Sequence, residues 1–401
     1  MSSSRLRVGL AVTVLAVCTL CCHGLKAQEP AKSLFRIVNK VVVYNKAYLE
    51  LETPGVVRCK NGDLLVALLS QGGLYTTRSK DNGLTWQKPQ AVATGGLEGS
   101  VGMSTLRDGA ILLPFYQDLV KEPGYQNRRI TAYVYRSVDN GLTWEGDAPV
   151  DSPLRETATY GHILQLEDGR ILLPVWGAQR LGQRWQVGTL ESTDEGKTWG
   201  SYRQIAYDPE AGCRPDNGFN ETSIAELPDH TLLAVLRQQR VGMRGGPCDH
   251  YAEPSDHFYR AVSHDLGKSW STPERLGLIG TSPSLHVTPD GLLMLAYRNS
   301  PQVDAPDKSL DERPQTEDGH YGLGIRVSYD QGRTWVNEFH LDDPQGLKYS
   351  AKLQPGYPDL VDLPDGNILV VFFSPQIKNG NASFYVAANI LACEKGANAG
   401  H

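Results

Sequence analysis

Five copies of one eight-residue pattern constrain this chain more than any other feature. They read SKDNGLTW (Ser79–Trp86), SVDNGLTW (Ser137–Trp144), STDEGKTW (Ser192–Trp199), SHDLGKSW (Ser263–Trp270) and SYDQGRTW (Ser328–Trp335). The steps between them are 58, 55, 71 and 65 residues. The residue types are those of a tight turn between two strands. Asp and Ser/Thr side chains bond the turn backbone, Gly takes a positive φ, and Trp packs beneath the hairpin. The five aspartates therefore read as structural staples and not as catalysts.

A second pattern, a turn followed by an apolar run, occurs six times: KNGDLLVAL at Lys60, RDGAILLPF at Arg107, EDGRILLPV at Glu167, PDHTLLAVL at Pro228, PDGLLMLAY at Pro289 and PDGNILVVF at Pro364. Each run follows another strand-like segment, giving six hairpins. Five are succeeded by the Asp-containing turn, so the chain reads as six four-stranded units. Residues 28–401 allot about 62 residues to each, the size of a propeller blade. The expected fold is all-β, a single six-bladed β-propeller domain over 28–401. Its last unit has only Phe384–Leu391 after the hairpin, so Leu34–Tyr44 is expected to supply the missing outer strand and close the ring. The 41 Gly, 24 Pro, 18 Tyr and 7 Trp suit such a turn-rich chain.

Residues 1–27 read as a signal peptide: Arg5 and Arg7, then a mostly apolar run Val8–Cys22, then a small residue at Ala27. No later stretch is apolar enough to span a bilayer, so the expectation is a secreted or periplasmic protein without a membrane span after leader removal. The chain carries 39 Lys+Arg against 45 Asp+Glu, a net charge of −6. That argues against nucleic acid as a partner, since nucleic acid is held by clustered cations. Four cysteines follow the leader, Cys59, Cys213, Cys248 and Cys393; of the three pairings, Cys213–Cys248 is favoured. Their spacing has no CxxC character, no EF-hand-like run supports calcium, and neither metal nor cofactor is expected. Asn220-Glu-Thr and Asn381-Ala-Ser are glycosylation sequons.

In each hairpin the residue about nine before the turn Gly and the residue seven after it fall at one rim, opposite the turns. The first set is Thr53, Ser100, Tyr160, Glu221, Ser282 and Tyr357; the second is Leu69, Tyr116, Trp176, Arg237, Arg298 and Phe373. In the fourth unit His230 stands in place of the turn Gly. One face of the ring thus gathers aromatics, two arginines and a carboxylate about the axis, a cup suited to a glycan. Tyr160 and His162, two apart on one strand, are expected to face the same way.

This combination resembles the sialidase (neuraminidase) superfamily with its Asp-boxes, over nearly all of 28–401. NETSIAELPDHTLLAVLR (Asn220–Arg237) is similar to the sialidase segment in which a Glu pairs with the nucleophile and a downstream Arg holds the substrate carboxylate. GYPDLVDLPDGNILVVF (Gly356–Phe372) is similar to the segment that begins with the tyrosine nucleophile. The resemblance implies Tyr357 as nucleophile, Glu221 as its base partner and Arg237 as a carboxylate clamp. A neutral phenol deprotonated toward Glu can attack an anomeric centre that bears a carboxylate without charge repulsion.

The chain also departs from that family. Glu52-Thr53-Pro54 stands where the family has Arg-Ile-Pro, so one arginine of the usual triad is a glutamate. The third arginine has no clear match, with Arg298, Arg313 and Arg326 as substitutes. Ser70–Arg78 contains no acid where the family places its aspartate acid/base; Glu52, Glu98 and Asp118 are the candidates for that role. Arg298, Tyr160, His162, Tyr116 and Trp176 are candidate substrate contacts. The segments Gln238–Arg260 and Asn299–His320 are expected to wall the same rim. Two function classes follow: an exo-acting glycoside hydrolase removing a terminal acidic sugar, or a glycan-binding propeller or polysaccharide lyase on the same scaffold.

Overall fold

A computed structural model describes residues 34–45, 51–70, 72–95, 97–98, 102–118, 129–146, 148–180, 182–211, 217–239, 256–299, 321–350, 353–378 and 381–394. The expected leader, the Cys213–Cys248 pair and Arg313 lie outside these residues. Among the described residues, no helix is long and apolar enough to cross a membrane, and Cys59 and Cys393 are free thiols.

Six antiparallel sheets form the six blades. In blade one, Leu51–Arg58, Leu64–Ser70, Gly73–Ser79 and Gln90–Thr94 pair in chain order from the axis outward. Blades four and five repeat the order with Gly218–Glu226 to Glu274–Ile279 and Thr281–Val287 to Val336–His340. Blade six runs Gly356–Asp362, Ile368–Lys378 and Asn381–Cys393, and its outer strand is Phe35–Tyr44, paired with Asn381–Cys393. The ring is closed between the two ends of the propeller, as the sequence implies.

The same turn closes every inner hairpin. In blade one Cys59 and Asp63 face each other across it, with Gly62 N donating to Cys59 O at 2.9 Å and φ +89° at Gly62. In blade four His230 takes the glycine's place at φ 65° and hydrogen-bonds Glu226 at 2.8 Å. The second strand of each hairpin is the most buried. Leu64–Ser70 and Ile171–Gly177 are buried along their whole length, because each is covered on both faces by neighbouring blades. That explains the unbroken apolar runs in the sequence.

The five Asp-containing turns are near-copies. In blade three Ser192 Oγ donates to Asp194 Oδ1 and accepts from Gly196 N, while Thr198 gives Asp194 both its N–H (2.9 Å) and its hydroxyl (2.6 Å). The residue before each Gly is also left-handed: Asn82, Asn140, Glu195, Leu266 and Gln331.

Blades two and three depart from the expected four regular strands. Their inner strands break into Leu97–Glu98 with Ser104–Thr105, and Ala158–Thr159 with Leu164–Gln165. The breaks coincide with Gly102 and Gly161. A Cβ on Gly102 would lie 2.0 Å from Gly161 O, so glycine permits the two backbones to touch near the axis. Among the described residues blade two also has no regular outer strand, with bridges Tyr133↔Pro149 and Arg136↔Glu145 in its place. Pro149 and Pro153 in that segment have no N–H to give to a ladder.

Candidate active site

In four of the six blades the rim residue of the inner strand is set by a backbone irregularity. In blades one, four, five and six the pairing register slips between Glu52 and Gly55, Asn220 and Thr222, Thr281 and Ser284, and Gly356 and Asp359. The residues within the slips, Thr53, Glu221, Ser282 and Tyr357, have φ of 48°, 33°, 56° and 52°. These are four of the six positions singled out by counting nine before the turn. A bulge re-aims its side chain, and a left-handed non-glycine residue costs about 1–3 kcal/mol. Four strained residues at one rim mark the place where the fold gives up stability for side-chain placement.

The result is a convergent cluster. Tyr357 Oη donates to Glu221 Oε1 at 2.9 Å, across 136 residues of chain. Arg237 Nη1 lies 2.9 Å from the same oxygen, and Ser282 N donates to Oε2 at 2.9 Å. Burial pushes the Glu221 carboxyl up, but Arg237, the Ser282 N–H, Arg298 and Tyr357 together hold it below its ordinary range. Burial and the Glu221 charge push the Tyr357 phenol well above its ordinary range, against the pull of Arg298 and Arg237. The resting state is therefore a neutral phenol donating to a carboxylate.

Arg298 donates from Nε to Thr281 Oγ1 at 2.7 Å, which fixes its head beside the sixth blade. A Cβ on Gly356 would sit 3.3 Å from Arg298 Nη1 and 2.6 Å from Phe373 Cζ, so glycine before Tyr357 leaves room for both. Arg237 and Arg298 thus reach the cluster from adjacent blades. Arg326 does not: it is bound to Tyr297 and to Glu338 toward the outside of blade five.

Aromatic rings wall one side. Tyr160 is buried with its ring 6.1 Å from that of Tyr357, and the Phe373 ring is 5.9 Å from the same ring. Trp176 packs 4.6 Å from Trp185 and 6.3 Å from Tyr116. Trp185 Nε1 donates to the buried Glu156 at 3.0 Å. His162 and Tyr160 line one small cavity of about 20 Å³ together with Tyr357, Ser284 and Asp359. It is too small for a sugar ring, so it is the floor of the cup and not the ligand space.

Of the acid/base candidates, Glu52 pairs with Leu69 and Glu98 with Tyr116 along the strands. Asp118 is half-buried at the end of Ile111–Asp118. The expected rim segments are described only at their ends: Gln238 and Gln239 belong to Leu232–Gln239, Arg260 to Asp256–Ser263 and Asn299 to Leu293–Asn299, while 240–255 and 300–320 lie outside the described residues. Asn220 of the first sequon is 2% exposed, which bars its glycosylation in the folded chain. Among the described residues no cluster of His, Cys, Asp or Glu could hold a metal ion. Sequence reading overlooked Ser282 N, Thr281, Trp185 and Asp359. Asp359 alone had a readable signal: it follows Tyr357 by two, as His162 follows Tyr160.

A family model described as "BNR repeat-like domain" matches residues 115–370. A curated sialidase of Bacteroides fragilis is 22% identical over 342 residues, covering 74% of this chain and 56% of that protein, so the chain spans about half of that relative's length. Among solved structures, a protein of unknown function from Dyadobacter fermentans superposes with a TM-score of 0.69 at 23% identity, covering 90% of this chain and 100% of that one. An α-L-arabinanase of Penicillium chrysogenum, complexed with arabinobiose, superposes with a TM-score of 0.61 at 16% identity over 88% of this chain and 98% of its own. These likenesses concern the propeller itself. With the family model matched over more than half of its length, the chain belongs to the BNR repeat-like domain family.

Proposed function

We propose that this protein is an exo-acting glycoside hydrolase that removes a terminal acidic sugar from a glycan, with Tyr357 as nucleophile and Glu221 as its base. The observation that carries this reading is the 2.9 Å contact of Tyr357 Oη with Glu221 Oε1, beside Arg237. In the first step the phenolic proton passes to Glu221, the Tyr357 oxygen bonds the anomeric carbon, and the bond to the leaving oxygen breaks. The leaving oxygen takes a proton from an acid at the rim, for which Glu52, Glu98 and Asp118 are the candidates. Water then attacks the anomeric carbon and gives its proton to the carboxylate left at the rim acid; the glycosyl–tyrosine bond breaks and Glu221 returns the stored proton to the Tyr357 oxygen. The expected leader places this activity outside the cytoplasm.

An acidic substrate has a specific use here. Glu221 is kept ionised by Arg237, Arg298 and a backbone N–H. A substrate carboxylate that engages the same arginines dilutes their hold on Glu221 and raises its proton affinity. Binding would thereby make the base ready for the phenolic proton.

Glu52 in the family's arginine position opposes the same anion. A like-charge contact costs about 1–4 kcal/mol at ordinary effective dielectric. Ordinary α-sialosides are therefore expected to be poor substrates, with a different sugar or acid group preferred. A second reading, a neutral furanoside, is favoured by the commitment of Arg237 to Glu221 and by the nearly full-length likeness to the arabinanase. A panel of fluorogenic glycosides, acidic and neutral, tested with wild type and Tyr357→Phe decides between them. Cleavage of uronides or sialosides that vanishes in Tyr357→Phe supports the first reading. Cleavage of arabinofuranosides alone supports the second, and no cleavage of any glycoside favours a binding propeller.

A further inference from the structure

One layer below the reactive rim, the inner strands are tied by polar contacts that the proposed reaction does not use. His162 Nε2 lies 2.6 Å from Asp359 Oδ1, and its Nδ1 lies 2.6 Å from Met103 O. A carbonyl and a carboxylate can only accept, so both ring nitrogens carry hydrogens and the ring is an imidazolium. Asp359 is buried and also accepts from Val56 N at 2.7 Å and from Ser284 Oγ at 3.4 Å. This ion pair therefore joins blades two, three and six directly, and blades one and five through Asp359. Blade four is tied in by Ser223 Oγ, which accepts from Leu285 N at 2.9 Å.

The placement is paired. His162 follows Tyr160 by two residues and Asp359 follows Tyr357 by two, with Gly161 left-handed in one strand and Tyr357 in the other. Clamping His162 to Asp359 fixes the two strands just beneath the point where Tyr160 and Tyr357 meet. Tyr357 stands on a strained backbone that would relax if it were released. We propose that His162 and Asp359 are positioning residues: their partly buried ion pair holds the bulged strand of blade six so that Tyr357 stays in hydrogen-bond contact with Glu221. The proposal deepens the function given above and rests on Tyr357 being the nucleophile.

The titratable groups around the pair are Tyr160 on the histidine's own strand, Tyr357 and Asp362 on the sixth blade's, Glu221 on the fourth's and His286 on the fifth's. His286 is occupied with Asp362 at 3.0 Å. Burial pulls the His162 ring down, but Asp359, by charge and hydrogen bond, and the Met103 carbonyl outweigh it and bring the ring to about 8. A raised histidine contributes its hold below the ordinary value near 6.5 and loses it as pH rises through about 8.

The experiment compares wild type, His162→Gln, Asp359→Asn and the double variant by crystallography, histidine-ring NMR titration and kinetics on the fluorogenic glycoside that wild type cleaves best. Expected in wild type is a His162 titration near pH 8, which falls below 6.5 in Asp359→Asn. Each single variant should separate Tyr357 Oη from the Glu221 carboxylate beyond about 3.5 Å. It should lower kcat about tenfold or more with KM changed less than about threefold. The alkaline limb of kcat near pH 8 should disappear in His162→Gln. The double variant, with two neutral amides able to pair, should regain more of the contact than either single. A wild-type His162 that titrates at or below 6.5, or a Tyr357–Glu221 contact kept at hydrogen-bond length in both single variants, overturns the clamp. Full turnover in Tyr357→Phe would instead remove the tyrosine mechanism and leave the titration and crystallographic results to judge the clamp alone.

Discussion

Tyr357, Glu221 and Arg237 are joined at one carboxylate oxygen, and substitutions at each should fail in different ways. Tyr357→Phe removes a hydroxyl without changing shape, so turnover should fall by roughly 10³-fold or more while ligand affinity stays within a few-fold; steady-state kinetics with a binding titration checks this. Arg298 has its Nε held by Thr281, and its head faces the cup. Arg298→Ala should weaken binding of an acidic ligand by about 1.5–3 kcal/mol, a change in Kd of roughly ten- to a hundredfold, and leave neutral ligands unaffected. Arg237→Ala leaves Glu221 buried with a lost partner. Stability should drop by about 3 kcal/mol or more, read as a lowered denaturation midpoint. An Arg237→Ala protein as stable as wild type would show that the pair is not buried as described. At this scale the sequence was informative where residue type and spacing agree. Counting from turns placed Glu221 and Tyr357 at the rim, and the sialidase resemblance marked them out among the residues there. Ser282's part was not readable, because it acts through its backbone N–H and any residue has one.

The Asp-turns and the bulges show opposite legibility at the scale of elements. Each Asp-turn is a local circuit closed within eight residues, so its sequence states its structure fully. Hydrogen bonds from Thr or Ser hydroxyls and backbone N–H groups outweigh burial and pull Asp139, Asp194 and Asp265 down to about 2. A lowered carboxylate contributes stability above its unfolded value near 3.9 and loses it as pH falls toward 2. Acid unfolding should therefore begin below about pH 4. Asp194→Asn should flatten that limb and cost about 1 kcal/mol at neutral pH, read from denaturant midpoints at pH 2.5, 4 and 7. An unchanged acid limb would contradict the assignment. The bulges, in contrast, leave no trace in an alternation pattern, because an extra residue in one strand changes register and not composition. Counting put the nine-before and seven-after residues at one rim without giving their register: Arg237 pairs with Asn220, Arg298 with Thr281 and Phe373 with Gly356, one position before the nine-before residue. The missing outer strand of blade two was likewise hidden, since the Asp-turn before it is intact and only Pro149 and Pro153 signal the interruption.

The propeller as a whole depends on its closure. Phe35–Tyr44 pairs with Asn381–Cys393 along most of its length, buries Phe35 and Val43 in the core, and joins opposite ends of the chain. The repeat count made that closure legible, because a sixth unit short of one strand requires a donor from the other end. Removing residues 34–44 should expose the edge of blade six and abolish cooperative unfolding, seen as a broadened, earlier thermal transition. The same closure sets the proposed reactive pair, since Glu221 and Tyr357 meet only when blades four and six are held in one ring. Covalent trapping tests the central claim most directly. Wild type is incubated with activated fluoroglycosides, acidic and neutral, and digested for peptide mass mapping. A glycosyl adduct on the Tyr357 phenolic oxygen, absent in Tyr357→Phe, is the predicted result. An adduct on a carboxylate such as Glu52, or turnover with inverted anomeric configuration and no adduct, would contradict the account.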